Sequence, residues 1–323
     1  MPPHLTERLR AALLAVLCLT LAACQGQGSG PMPSVGVSPN GSASPAAATT
    51  AVYPGWNDQP VGGAEIVPIL VSSDLAVGEN RFLLSLADGD NRLIASPEVS
   101  VALRFFDLAT NTERPDSERK ALFLEVPGTD SGLYVANVDF RRPGDWGVQV
   151  EAALPGRAED VKARVVFPVR EESRTPAIGG AAPPSETPTA TDREGIAAIS
   201  TDEDPDPDFY RSSVADAVSS GKPSVVTFAT PKFCTSRVCG PTLDIVKAVA
   251  PPFKGSVDFV HVEVFSNLDK PDELMVVPAV TEWALPTEPW VFVVDGEGRI
   301  ASKFEGIVAP EELEAAIKDV LRG

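Results

Sequence analysis

Histidine, methionine, tyrosine and cysteine are all scarce in this chain, at 2, 3, 3 and 4 residues of 323. One of the two histidines, His4, precedes any foldable segment, so a Ser-His-Asp triad or a histidine-rich metal site lacks its residues. Basic residues are short as well. The 27 Lys and Arg face 45 Asp and Glu, a formal net charge of -18, and a chain this acidic repels phosphate backbones. No nucleic acid is expected as a partner, and no metal or cofactor. No apolar run reaches the ~20 residues of a membrane-spanning helix. What is present is a 43% hydrophobic fraction, enough for two cores, and 31 Pro with 25 Gly, too many for compact structure throughout.

Arg8 and Arg10 precede an apolar or small-residue run over 11–23, the pattern of a secretory signal peptide. The run ends Leu21-Ala22-Ala23-Cys24, which resembles the bacterial lipobox. That resemblance implies cleavage before Cys24 and acylation of its thiol, hence an extracytoplasmic protein lipid-anchored to the cell membrane. Plain secretion and a retained signal are the alternatives. Gly, Ser, Pro, Ala and Thr dominate 25–50 without an apolar period, and residues 24–60 read as a disordered tether. A second such stretch, 171–194, reads as a linker.

Between them, residues 61–170 alternate with period two. Val99, Val101, Leu103 and Phe105 share one strand face; Tyr134, Ala136, Val138 and Phe140 share another; Trp146, Val148 and Val150 a third. Turn signals such as Asp88-Gly89-Asp90-Asn91 and Pro143-Gly144-Asp145 separate about seven strands, which predicts an all-β immunoglobulin-like sandwich. The stretch GLYVANVDFRRPGDWGVQVEAAL resembles small immunoglobulin-like modules of bacterial envelope proteins, including those of copper-handling systems. Residues 61–170 contain no His, Cys or Met, so soft copper ligands are absent and a spacer or docking module is expected.

Residues 195–323 alternate strands with helices, which predicts an α/β layer. The expected elements are a helix over 208–220, a strand over 224–229, a helix over 241–249, a strand over 257–265, strands over 290–294 and 299–304, and a helix over 310–321. An apolar strand just before FCTSRVC, Pro289 directly before WVFVVD, the hairpin DGEGRI and the closing helix PEELEAAIKDVL together resemble the thioredoxin fold. The resemblance implies a cis Pro289 against a redox cysteine pair, flanked by Glu288 and Trp290. It further implies a substrate groove framed by Phe233 and Trp290.

The pair is Cys234 and Cys239, spaced C-x4-C where the family has C-x2-C. In a regular helix residues i and i+5 lie roughly 8–9 Å apart at Cα, beyond the ~7 Å limit for a disulfide. Both therefore cannot be mid-helix and bonded. Gly240 and Pro241 predict a helix beginning at Pro241, with 234–240 a loop able to close the bond. Lys232, Arg237 and the helix N-terminus would favour a thiolate. Three readings stay open: thiol-disulfide exchange with envelope protein thiols or disulfides, Cys234 attacking and Cys239 resolving; a structural disulfide in a binding or assembly lipoprotein; and a peroxidase. The spacing also resembles the bacterioferritin-comigratory peroxiredoxins, although their Pro-x3-Thr-x2-Cys motif is broken here.

Thioredoxin keeps a buried Asp on the strand before its cysteines, and Thr227 stands nearest that place. Glu288 is the substitute proton acceptor, with a solvated loop glutamate as the plain alternative. A copper-delivery site similar to the Sco type needs C-x3-C and a loop histidine; His261 lies within a strand, where a packed or edge histidine is expected. The acidic run 202–208 lacks the Gly and distal Glu of a calcium loop and reads as solvated charge.

Overall fold

In the computed structural model the described residues are 51–56, 64–129 and 131–323, so the signal segment, Cys24 and most of the tether lie outside them. Alternating apolar residues in the first half form β1 (Val67–Leu70), β2 (Gly78–Ala87), β3 (Ser100–Asp107), β4 (Ser117–Lys120), β5 (Leu122–Glu125), β6 (Gly132–Phe140), β7 (Gly144–Ala153) and β8 (Val161–Val169). They make two four-stranded antiparallel sheets, β1-β2-β6-β5 and β4-β3-β7-β8. Val101, Leu103 and Phe105 face the common core while Ser100 and Ala102 are exposed. Phe82, Phe105, Phe140 and Phe167 meet there with ring centroids 5.0 to 5.8 Å apart, the spacing aromatic pairs favour. About seven strands were expected and eight form among the described residues. The extra one arises at Ala121, where one run leaves β3 and joins β6, so the chain changes sheets in a single residue.

The second half builds the sheet β10-β9-β13-β14. Strand β9 (Ser224–Ala229) runs parallel to β10 (Asp258–Glu263), and β13 (Trp290–Val294) runs antiparallel to β9 and to β14 (Ile300–Glu305). Every residue of β9 and β13 is buried, which is why β13 reads as an unbroken apolar run and β9 as one interrupted only by Ser224 and Thr227. The helices are α1 (Arg193–Ile199), α2 (Val214–Ser219), α3 (Cys239–Val249), α4 (Pro278–Glu282) and α5 (Pro310–Val320). Val225, Val291 and Val293 pack beneath α3 and α5. Val226, Phe228, Trp290 and Phe292 point to the opposite face, beneath α2 and α4. A short pair, β11 (Phe265–Ser266) and β12 (Met275–Val276), stands apart. None of the described helices is long and apolar enough to cross a membrane.

Two expectations are corrected. The helix over 208–220 is a 3₁₀ turn at Pro207–Tyr210 followed by α2, because Ser213 and Asp216 form a capping box that restarts the helix. The stretch 171–194 is a docked strap. Gly179 N–H donates to Ile300 O at 2.7 Å, Ile300 N–H to Gly180 O at 2.9 Å and Ala182 N–H to Gly298 O at 2.9 Å. Strand β14 is the open edge of its sheet, and the Pro- and Ala-rich extended chain pairs with the first residue of that edge, Ile300, and with the turn before it. Trp283 Nε1 fixes the strap's far end on Ser185 Oγ at 3.2 Å.

The sheets of the first half and the β14–α5 region belong to one compact unit, Asn40–Gly323. Asp74, fully shielded, accepts from Arg174 N–H and Thr175 N–H at 2.9 and 3.0 Å and faces the Lys303 ammonium at 3.6 Å. These bonds hold the Asp74 carboxyl below its usual range against the opposing effect of burial.

Candidate functional site

The site forms where β9 ends. Cys234 N–H donates to Thr230 O at 3.1 Å, which starts a turn, and Arg237 adopts φ 62° to bring the chain back. Helix α3 then begins at Cys239, two residues earlier than expected, and Thr242 N–H closes its first turn on Val238 O at 2.9 Å. Pro241 sits inside that first turn, where its missing N–H costs nothing. Only Cys239 is therefore helical. The two Cα atoms are 6.0 Å apart and the sulfurs are bonded. Cys239 is completely buried while Cys234 is half-buried, so an incoming sulfur reaches Cys234 first.

The Glu288–Pro289 peptide is cis and Pro289 is buried. A carboxylate oxygen of Glu288 and the sulfurs of Cys234 and Cys239 all lie within 4.8 Å of one another. Burial raises the Glu288 pKa above the ordinary carboxylate value, with no hydrogen bond among the described residues to offset it. Ser236 Oγ lies 3.1 Å from Cys234 Sγ, in place to donate to a thiolate there. Phe233 is half-buried beside Phe265, centroids 6.4 Å apart, with the Lys232 ammonium 5.6 Å from its ring.

Trp290 does not frame this groove. It alternates with Val291 along β13, so its ring falls on the sheet face opposite α3, stacked on Phe292 and only 2% exposed. Thr227, in the place of the family's buried Asp, is buried with its hydroxyl unpartnered among the described residues.

His261 is a core residue. Its Nε2 donates to Ala229 O at 3.1 Å, which leaves Nδ1 to accept from Tyr210 OH at 2.9 Å. Burial lowers its pKa to about 4, so the ring is neutral at physiological pH. The acidic run is only partly solvated charge: Glu203 and Asp204 are exposed, but Lys247 takes Asp202 at 2.8 Å, and Lys254 takes Asp206 and Asp208 at 2.6 and 2.8 Å.

Sequence reading missed three supports of the site. Buried Glu263 accepts from Thr201 N–H and Oγ1 at 2.9 and 2.6 Å, and Lys232 N–H donates to the same Thr201 Oγ1 at 3.2 Å, which fixes the start of the cysteine loop. Thr242 Oγ1 donates to Gly306 O at 3.2 Å, and Gly306 N–H donates to Pro289 O at 2.9 Å, so one residue links α3 to the proline. Val238, just before Cys239, packs with Leu124 and Val126 of the first half and with Ile307. The placement of Glu263 two residues beyond His261 was the one local signal; the others join residues too far apart in sequence to be read.

No protein family matches the chain, and no curated protein sequence does. Among solved structures, chloroplastic thioredoxin z is similar at 15% identity over 33% of this chain and 86% of its own, with a TM-score of 0.26. A thioredoxin-family thiol:disulfide interchange protein from Chlorobium tepidum TLS is similar at 18% identity over 43% of this chain and 98% of its own, with a TM-score of 0.28. The structural neighbours are thus thioredoxin-family proteins.

Proposed function

We propose that the chain is a thiol-disulfide exchange protein of the thioredoxin-like class. The observation that carries the proposal is the meeting of an accessible sulfur, a buried sulfur and a desolvated carboxyl beside a buried proline. A disulfide that only braces the chain has no use for the carboxyl, and a loop this short gains about 2 kcal/mol from closure. In the reduced protein the Cys234 thiolate attacks one sulfur of a client disulfide, forming the Cys234–client bond and releasing a client thiolate. Glu288 takes the proton of Cys239, whose sulfur attacks Cys234 Sγ. The Cys234–Cys239 bond forms, the client leaves as its second thiolate, and Glu288 returns the proton. Two electrons pass from the pair to the client, and every step is reversible.

The clients are envelope proteins. Support for an extracytoplasmic, membrane-anchored site of action comes from the lipobox-like Leu21-Ala22-Ala23-Cys24. The fold of the first half, two packed antiparallel sheets, supports an immunoglobulin-like module.

The test is a Cys239→Ser variant expressed in a bacterial envelope and acid-quenched. Mixed disulfides through Cys234 are expected, absent from a Cys234→Ser control. An unmodified Cys234 would favour the bracing disulfide, and rapid peroxide consumption through a sulfenic acid at Cys234 would favour the peroxidase.

A further inference from the structure

We propose that the sandwich is a working part of the redox site, with Arg81 of β2 as the positioning residue for Glu288 and Pro289. The proposal rests on the thiol-exchange reading of Cys234, Cys239 and Glu288.

Segment 305–307 joins the proline loop to α3. Its middle residue, Gly306, bonds Pro289 O through its N–H and α3 through its carbonyl, so its position sets the spacing between the proline loop and the Cys239 turn. Both neighbours of Gly306 are held by Arg81. The guanidinium donates from Nη1 to Glu305 O at 3.3 Å and from Nη2 to Ile307 O at 3.0 Å. Its Nε and Nη2 also take the two oxygens of Glu312 at 3.0 and 2.9 Å. The side chain is 9% exposed and makes no contact with the reacting groups themselves.

A second route from the sandwich reaches the same loop. Ser73 N–H donates to Glu305 Oε2 at 2.9 Å and Ser73 Oγ bonds Glu305 Oε1. Thr287, the residue before Glu288, donates to that Oε1 at 2.8 Å and accepts from Trp290 Nε1 at 3.2 Å. This is the use of Trp290 that its burial away from the groove leaves open: it anchors the loop from behind.

Interface stability alone does not call for this construction. A buried ion pair is often no better than an apolar contact of the same volume, whereas a planar fork that fits two carbonyls and a carboxylate at once admits one register. In catalysis a displacement of about 1 Å costs on the order of 10²-fold. Arg81 therefore acts through the location of the Glu288 carboxyl relative to the sulfurs.

The experiment measures alkylation of Cys234 by iodoacetamide in the reduced full-length protein against pH, for wild type, Arg81→Met, Arg81→Lys and Ser73→Ala, each with and without Glu288→Gln. Thermal unfolding is recorded alongside. We expect Arg81→Met to change the alkylation rate about tenfold and to displace its pH midpoint, with the same sign and a smaller size in Arg81→Lys and Ser73→Ala. In the Glu288→Gln background the same changes shrink to less than about twofold, because the positioned group is gone. Equal effects in both backgrounds, or an unchanged pH profile with only a lower melting temperature, overturn the proposal. If Arg81→Met does not fold, the Lys and Ser73→Ala comparisons decide it. Alkylation needs no client, so coupling of Arg81 to Glu288 in a protein that exchanges no disulfide would sink the exchange reading and leave the positioning intact.

Discussion

Glu288 and Cys239 face one another inside the site, carboxylate oxygen to sulfur within 4.8 Å, and the carboxyl is half-buried without a hydrogen bond among the described residues. A carboxyl so placed holds its proton to higher pH and can exchange it with the buried thiol.

For Glu288→Gln we therefore expect exchange to slow by about 100-fold or more, the usual contribution of a positioned acid-base group. The wild-type rate should climb as pH rises through the raised Glu288 pKa, and the variant should lack that limb. The folded state binds this proton more tightly than the unfolded one, so Glu288 costs stability as pH rises through the same window. The variant should consequently melt no lower than wild type at neutral pH, as differential scanning calorimetry would record.

His261 works in the opposite direction. Its folded pKa of about 4 lies below the ordinary 6.5, so the unfolded chain takes up a proton first and stability falls as pH drops from 6.5 towards 4. The lost contribution is at most about 3 kcal/mol. Urea unfolding of His261→Asn over that range should show a flatter pH dependence than wild type; identical slopes would mean that the ring is not buried neutral. Glu263 on the same strand, its pKa raised by burial, is unchanged in both proteins and cancels in the comparison.

Asp74→Ala should cost roughly 3 kcal/mol, because it strands the Lys303 ammonium and frees the donors of Arg174 and Thr175. The strap should loosen with it. Limited proteolysis is expected to cut between 174 and 182 in the variant and to leave wild type intact there.

Cys24→Ala should release the protein from membranes or leave it unprocessed. Retention of a correctly cleaved variant after a high-salt wash would contradict lipid anchoring.

The sequence patterns that carried through were local ones. Alternation identified the buried faces of β3, β6 and β7, and the largely apolar runs identified β9 and β13, since side-chain period is a property of a few consecutive residues. The cysteines, Pro289 and Glu288 were placed by the order of strands that resembles the thioredoxin fold, and the structure brings the two sulfurs and the Glu288 carboxylate together. Trp290 was misplaced by reading nearness to Pro289 as nearness to the cysteines, when a one-residue step along a strand reverses the face. The strap misled because Pro, Ala and Thr suit an extended edge partner as well as a free chain. Arg81 was invisible: its partners Glu305, Ile307 and Glu312 lie more than two hundred residues away, and no local pattern encodes them.

The reduction potential of the Cys234–Cys239 pair, measured by equilibration with glutathione or dithiothreitol, tests thiol exchange most directly. A value between roughly -120 and -270 mV, the span of exchange proteins, is the expected result. A bond that stays closed below about -300 mV would mark it as a bracing disulfide and contradict the proposed function.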